Sequence, residues 1–167
     1  MPRLVISEAD TPQLVAAAAR LFREYAASLP FSLGFQGFDA ELVALPGKYS
    51  KPDGRLLIGW VDDVPRGCVA FRPLEAMPGD PEPVCEMKRL YVQPEARGLK
   101  LGRRLCDRLL DEASLSGYQF MKLDSEPAFD AAMGLYQSLG FTPIPRYNDD
   151  PHPQTVYLGR VLCSPRK

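Results

Sequence analysis

The stretch from Cys85 to Leu115 constrains this chain more than any other. Cys85 to Val92 reads as a strand, and Gln93-Pro94-Glu95-Ala96-Arg97-Gly98-Leu99-Lys100-Leu101-Gly102 follows. Leu101, Leu105, Leu109 and Ala113 then recur at helical spacing, interleaved with Arg103, Arg104, Asp107 and Arg108, which predicts a helix from Gly102 to Leu115. Glycines at a strand-to-helix junction let backbone approach a ligand closely. The helix start offers an anion unpaired N–H groups and about half a positive charge. Arg97, Lys100, Arg103 and Arg104 add cationic side chains around that point. These features describe a phosphate or diphosphate site. The segment is not a Walker A loop, because the Gly-Lys-Ser/Thr ending is missing, nor a G-x-G-x-x-G dinucleotide turn. The competing reading is a plain strand–helix turn with a solvated basic face.

The rest of the chain supplies a sheet and helices around this unit. Leu4, Val5 and Ile6 open a short strand over residues 4–8. Thr11-Pro12 then marks a helix start, and Leu14, Ala18, Leu21, Phe22 and Tyr25 share one face of a helix running to about Leu29. Residues 31–38 suit a loop or lid, and Asp39 is placed to cap a short helix containing Leu42 and Val43. Leu56 to Val61 and Gly67 to Arg72 form a hairpin around a turn at residues 62–66, and a proline-rich loop over residues 73–83 leads to the next strand. Beyond Gly117, Gln119 to Asp124 is a strand. Ser125 is placed to cap a helix whose inner face is Phe129, Ala132, Met133, Tyr136 and Leu139, stopped by Gly140. Phe141 to Arg146 and Thr155 to Leu162 finish as strands. The order β-α-α-β-β-β-α-β-α-β-β predicts an α/β (α+β) domain, with a mixed, largely antiparallel central sheet flanked by helices.

Composition narrows the class. The 167 residues suit a single domain over residues 1–167. Lys plus Arg number 20 against 21 for Asp plus Glu, a net charge of −1 that argues against a nucleic-acid partner. No apolar run approaches the ~20 residues of a membrane span, and Met1-Pro2-Arg3 leads into no signal-peptide core. The expectation is a cytoplasmic protein with no membrane partner. Cys68, Cys85, Cys106 and Cys163 are widely spaced and read as reduced, mostly buried thiols. With His152 as the single histidine, no metal site is expected. A Ser-His-Asp or Cys-His machine is disfavoured too, so any acid–base work falls to a carboxylate or a tyrosine.

From Glu86 to Gly140 the sequence resembles the GCN5-related N-acetyltransferase (GNAT) superfamily, in its small-molecule branch. The family's core motif, Arg/Gln-x-x-Gly-x-Gly/Ala after a strand ending in Val-x-Pro, is matched by Val92-Gln93-Pro94 and by Arg97 to Gly102. Its later signature is matched by Leu135-Tyr136, Gly140 and Phe141. Lys100 stands where the family has its central glycine, and a positive φ there would strain a lysine by roughly 1–2 kcal/mol. The resemblance implies a GNAT-like acyl-CoA N-acyltransferase fold and acetyl-CoA as acyl donor. Backbone N–H groups from Gly98 through Leu99, Lys100 and Leu101 to Gly102, with Arg97 and Arg103, would hold the pyrophosphate. The strand around Leu90, Tyr91 and Val92 would pair with the pantetheine arm. Asp124, where many relatives carry an asparagine, is assigned no role.

The same resemblance implies the catalytic pair. A free alkylamine is only about 0.04% neutral at pH 7, so a base must take its proton before attack. Glu86, six residues before Val92, has the spacing of the base in histone-acetylating relatives. The competing reading is a surface ion pair with Lys88. A bulge near Leu90 would change which face Glu86 shares with the site. Tyr136, of the Leu-Tyr motif, would protonate the departing thiolate, and its rival role is core packing. The acceptor is a primary amine of a small molecule. Phe31, Phe35, Phe38 and Tyr49 are candidate walls, Arg72 and Lys88 candidate holders of a carboxylate, and Asp149 and Asp150 candidate attractors of a cation. His152 reads as a loop residue. A homodimer is compatible with the resemblance. The alternatives are acetylation of a protein N-terminus or lysine, and a non-catalytic acyl-CoA sensor.

Overall fold

The computed structural model describes residues 1–162, the side chain of Phe35 apart. Cys163, read from sequence as a buried thiol, and the wall role of Phe35 lie outside the described part. Seven strands form one sheet: β1 (Leu4–Glu8), β2 (Arg55–Val61), β3 (Val64–Leu74), β4 (Val84–Val92), β5 (Phe120–Ser125), β6 (Thr142–Pro143) and β7 (Val156–Val161). Their order is β1-β2-β3-β4-β5-β7-β6. Every neighbouring pair is antiparallel except β4 with β5. The expected mixed, largely antiparallel sheet is therefore what the chain forms.

Four helices cover it: α1 (Pro12–Ser28), α2 (Phe38–Ala44), α3 (Leu101–Leu115) and α4 (Asp130–Ser138). Thr11 caps α1, its side chain accepting from the Leu14 amide at 3.3 Å. Ala18, Leu21 and Phe22 of α1 bury one sheet face, against Leu56, Ile58, Cys68 and Ala70. Leu101, Leu105 and Leu109 of α3 bury the other, against Leu57, Val69 and Phe71. The alternation along β2 and β3 that divides these two cores is the period-2 pattern of a sheet covered on both sides. At Gly59 a Cβ would lie 2.8 Å from Leu101 Cδ1, so α3 begins directly against β2. That close approach fixes the glycine loop over the sheet.

Four local expectations need correction. The hairpin turn is the pair Asp62-Asp63, with φ of 48° and 65°, rather than residues 62–66. Asp and Asn tolerate the left-handed region best after glycine, and two such residues make a tight turn. Asp39 lies inside the first turn of α2, and the cap position is Gly37, left-handed at φ 69°. Ser125 ends β5 and does not cap; α4 starts after Phe129. The strand expected from Phe141 to Arg146 shrinks to Thr142–Pro143, because Pro143 and Pro145 lack the N–H groups a ladder requires.

Two irregularities open the molecule. β4 pairs with β5 only from Val84 to Glu86, opposite Phe120 to Lys122, and beyond that the strands diverge. Across β3, Ala70 pairs with Lys88 but Cys68 pairs with Tyr91, a register shift centred on Arg89, whose φ is 64°. This is a β-bulge, one residue before Leu90.

Candidate active site

Because β4 and β5 part, a cleft forms between Lys88 to Leu90 on one side and Leu123 to Ser125 on the other, with Tyr136 of α4 among its lining residues. The edge of β4 facing β5 has no strand partner from Met87 to Val92. Leu90 and Val92 pack toward the α3 core and Tyr91 toward the α1 core, which leaves their backbone along this unpaired edge.

At the end of β4 stands the glycine loop. Gly98 has φ 87°, and Lys100 takes the helix-cap position with φ 64° and ψ 23°. The left-handed conformation anticipated at Lys100 is thus present. The Arg104 amide donates to the Lys100 carbonyl at 3.1 Å, which leaves the Leu101, Gly102 and Arg103 amides without intrahelical acceptors. A Cβ on Gly98 would meet nothing within 4 Å, and one on Gly102 only Leu135 and Val92, each at 3.6 Å. Packing within the protein does not demand these glycines, and the space above them is open. Leu101 is buried and Leu99 packs on the same core, so only their amides face the loop. Arg97 and Arg103 are exposed here; Arg97 Nε donates to the Val92 carbonyl at 3.3 Å and Arg103 to Ser138 Oγ at 3.1 Å. Arg104 is drawn away, donating to the Leu4 carbonyl.

Glu86 is 1% exposed, not a surface residue. Its Oε1 accepts from Arg72 Nε at 3.0 Å and Nη2 at 2.9 Å, and its Oε2 accepts from the Tyr147 hydroxyl at 2.6 Å. Lys88 Nζ lies 4.0 Å from Oε2. Burial, and then the Glu86 charge, push the Tyr147 hydroxyl well above the usual tyrosine range. These groups line a second cavity beside the cleft, and Gln36, Lys88, Arg89 and Asp150 line both. Glu86 faces the second cavity and Tyr136 the first.

Tyr136 is 7% exposed, with its ring edge-on to Phe141 at 6.0 Å. Its hydroxyl bonds no described residue. Burial, with Cys106, Tyr25 and Asp124 adding to it, raises this hydroxyl well above its ordinary value, so it stays protonated at neutral pH. Tyr25 beside the cleft is pushed up to about 12, again chiefly by burial.

Several residues here had no role in the sequence reading. Arg89, 4% exposed, donates to both oxygens of Glu41, at 2.9 and 3.0 Å, and to Gln36 at 2.8 Å. Asn148 donates to Asp124 at 2.7 Å and accepts from Tyr157 at 2.9 Å. The signals were faint: adjacent cations in a buried strand, and one tyrosine in a polar loop. Two expected pocket walls, Phe38 and Tyr49, are core residues of the α1 side instead: α2 turns Phe38 inward, and the 3-10 turn Gly47–Tyr49 does the same for Tyr49. Phe31 does line the cleft, stacked on His152 with ring centres 4.1 Å apart. Asp150 is buried and accepts from the His152 amide at 2.8 Å and the Thr155 hydroxyl at 3.1 Å, so it is not a free attractor of cations. Among the described residues no three His, Cys, Asp or Glu side chains are grouped as metal ligands, and no helix is long and apolar enough to cross a membrane.

The family model for the acetyltransferase (GNAT) family matches residues 18–141. An uncharacterized N-acetyltransferase of Schizosaccharomyces pombe is 38% identical over 154 residues, covering 92% of this chain and 91% of its own. Another, from Dictyostelium discoideum, is 29% identical over 191 residues, covering 81% and 88%. A solved structure of a putative acetyltransferase from Salmonella typhimurium with its cofactor acetyl-CoA superposes with a TM-score of 0.69 at 23% identity, over 96% of this chain and 94% of that one. That last likeness is one of fold.

Proposed function

This chain belongs to the acetyltransferase (GNAT) family, and on that premise we propose that it transfers acetyl from acetyl-CoA to a primary amine of a small molecule. The observation that carries the reading is the joining of an open glycine loop, an unpartnered β4 edge and a buried carboxylate along one cleft system. Acetyl-CoA supplies the activated thioester. The amides of Gly98 to Gly102, with Arg97 and Arg103, fit its pyrophosphate, since both glycines leave the loop uncovered. The β4 edge beyond Glu86 offers N–H and C=O groups to an extended amide-bearing arm, as an added strand would use them.

Proton movement falls to Glu86 and the two tyrosines. The Glu86 oxygens already accept from Arg72 and Tyr147, so the acceptor's proton reaches it best through the Tyr147 hydroxyl. That oxygen takes a proton from the ammonium as its own passes to Oε2. The amine attacks the thioester carbon, and the thiolate departs beside a hydroxyl donor, Tyr136. Enclosure of Glu86 supports a small acceptor, because a protein side chain would need an open groove.

Thermal denaturation with acetyl-CoA tests the first half. A ligand that binds only the native state must raise the melting temperature, by roughly 2.7 kcal/mol of added stability at a hundredfold excess over Kd. Thiol release with an amine panel tests the second. Protection without turnover would identify an acyl-CoA sensor. A folded sample with neither would reject the reading.

A further inference from the structure

Hydrogen-bonding capacity in the second cavity is lopsided. Three of its four carboxylates are already satisfied: Glu86 by Arg72 and Tyr147, Asp150 by His152 and Thr155, and Glu41 by Arg89 and Tyr49. Of its cations, Arg89 is held by Glu41 and Gln36, whereas Lys88 and Arg72 keep donors to spare. Lys88 is 8% exposed, so water can do little for its three donors. Its hydrogen-bond acceptor is Gln36 Oε1 at 2.9 Å, an oxygen that Arg89 also uses, and the nearest carboxylate oxygen is 4.0 Å away. Arg72 spends Nε and Nη2 on one oxygen of Glu86, and its side chain remains 29% exposed. A buried ammonium with one hydrogen bond to protein, beside a guanidinium with donors to spare, is a costly arrangement unless an acceptor meets it. It becomes favourable when an acceptor-bearing anion enters.

We propose that the acceptor amine carries a carboxylate on the same molecule, which Lys88 and Arg72 hold in the cavity beside Glu86. The proposal rests on the acetyl-transfer reading and narrows its substrate to amino-acid-like amines. A monoanion suits the place. A dianionic phosphate would meet Glu86 and the exposed Asp149 with twice the repulsion. Lys88 lines both cavities, so an acceptor anchored there by its carboxylate can extend its amine toward the cleft. A cationic polyamine, by contrast, would find one uncommitted carboxylate, Asp149, at the rim.

The experiment compares acceptors that share a side chain but differ at the carboxylate. L-leucine, L-methionine, L-phenylalanine and L-glutamate are each set against the carboxamide, the decarboxylated amine and a short peptide amide beginning with that residue. Acetyl-CoA and the full chain are used, with thiol release as the readout. For at least one side chain the free carboxylate is expected to exceed the other three by about tenfold or more in kcat/KM, chiefly through KM, the scale of a hydrogen bond to a charged group. In Lys88→Met and in Lys88→Gln that preference should collapse to within about threefold of unity, while Lys88→Arg keeps part of it. A wild-type enzyme that takes carboxamides, plain amines or peptides as well as free acids overturns the proposal and leaves acetyl transfer standing. An unchanged preference in both Lys88 variants also overturns it. If acetyl-CoA is neither bound nor consumed, acetyl transfer fails separately, and calorimetry with the same amino acids decides the site. Binding that weakens about tenfold in Lys88→Met supports it, and no binding to wild type overturns it.

Discussion

Lys100 carries a backbone conformation that costs the fold. Its left-handed backbone, φ 64°, suits glycine and strains an L side chain by roughly 1–2 kcal/mol. The side chain is exposed and caps nothing. Lys100→Gly should therefore raise stability by about 1 kcal/mol, offset in part by the added freedom of the unfolded chain, which a urea melt would show as a higher midpoint at unchanged slope. A lower midpoint would show that the lysine is not strained there. The second prediction at this scale concerns Tyr136. With its ring packed and its hydroxyl bonded to no described residue, Tyr136→Phe should move the melting temperature by no more than about a degree. It should lower kcat by roughly ten- to a thousandfold if the hydroxyl serves the leaving sulfur. Full activity would reduce Tyr136 to a core aromatic. Both residues were legible in the sequence, because a strand, two glycines, a helix and a Leu-Tyr pair are local signals. Tyr147 was not, since a lone aromatic in a polar loop gives no hint of the carboxylate it will meet 61 positions away.

Among the elements, β4 carries the most information, and its bulge explains why part of it was hidden. A strict two-residue alternation would send Lys88 and Arg89 to opposite faces. With Arg89 at φ 64°, the ammonium of Lys88 and the guanidinium of Arg89 reach one acceptor, Gln36 Oε1. Sequence periodicity anticipates strand, helix and order well where apolar residues repeat, as in α1 and α3. It fails where one backbone torsion resets the phase, or where turn chemistry shortens an element, as at Asp62-Asp63 and Pro143. The bulge also gives α2 its purpose. Arg89, 4% exposed, is held by both oxygens of Glu41 and lies 5.1 Å from the Phe38 ring centre. Glu41→Leu would leave that guanidinium buried without its counterion. The expected cost is about 3–5 kcal/mol, the range for breaking a buried pair from one side, read as a fall in unfolding free energy. A loss below about 1 kcal/mol would mean that water reaches Arg89 and that α2 is not its clamp.

For the molecule as a whole, the two cores on either side of the sheet account for its existence, and a set of ion pairs binds the pieces that surround the site. Residues from β3, β4, the loop before α2 and the loop before β7 converge on the second cavity, a convergence that no spacing along the chain reveals. Three carboxylates fasten this arrangement, two from outside the cavity and Asp150 from its wall. Asp80 ties the loop before β4 to the buried Lys122 of β5 at 2.7 Å. Glu112 of α3 accepts from Arg55 of β2 at 3.1 Å and from Arg108 at 2.9 Å. Asp150 gathers His152 and Thr155. Burial alone would raise each of the three, but the donors outweigh it and hold Asp80 and Asp150 below the ordinary 3.8 and Glu112 below the ordinary 4.5. A carboxylate whose native pKa is depressed stabilises the fold fully above its unfolded value, and that contribution is lost as pH falls through the native value. The melting temperature should accordingly be level from pH 7 to about 5, begin to fall near 4.5, and keep falling below 3.8 as the unfolded chain takes up protons that the native state resists. Asp80→Asn should melt earlier at pH 7, with Lys122 left buried beside a neutral amide, and should lose less on acidification than the parent because one of the three groups no longer titrates. Melts of both proteins at pH 7, 5, 4 and 3 decide it. A parent curve that stays level to pH 3, or a variant whose acid loss equals the parent's, would show that these pairs do not govern its stability in acid.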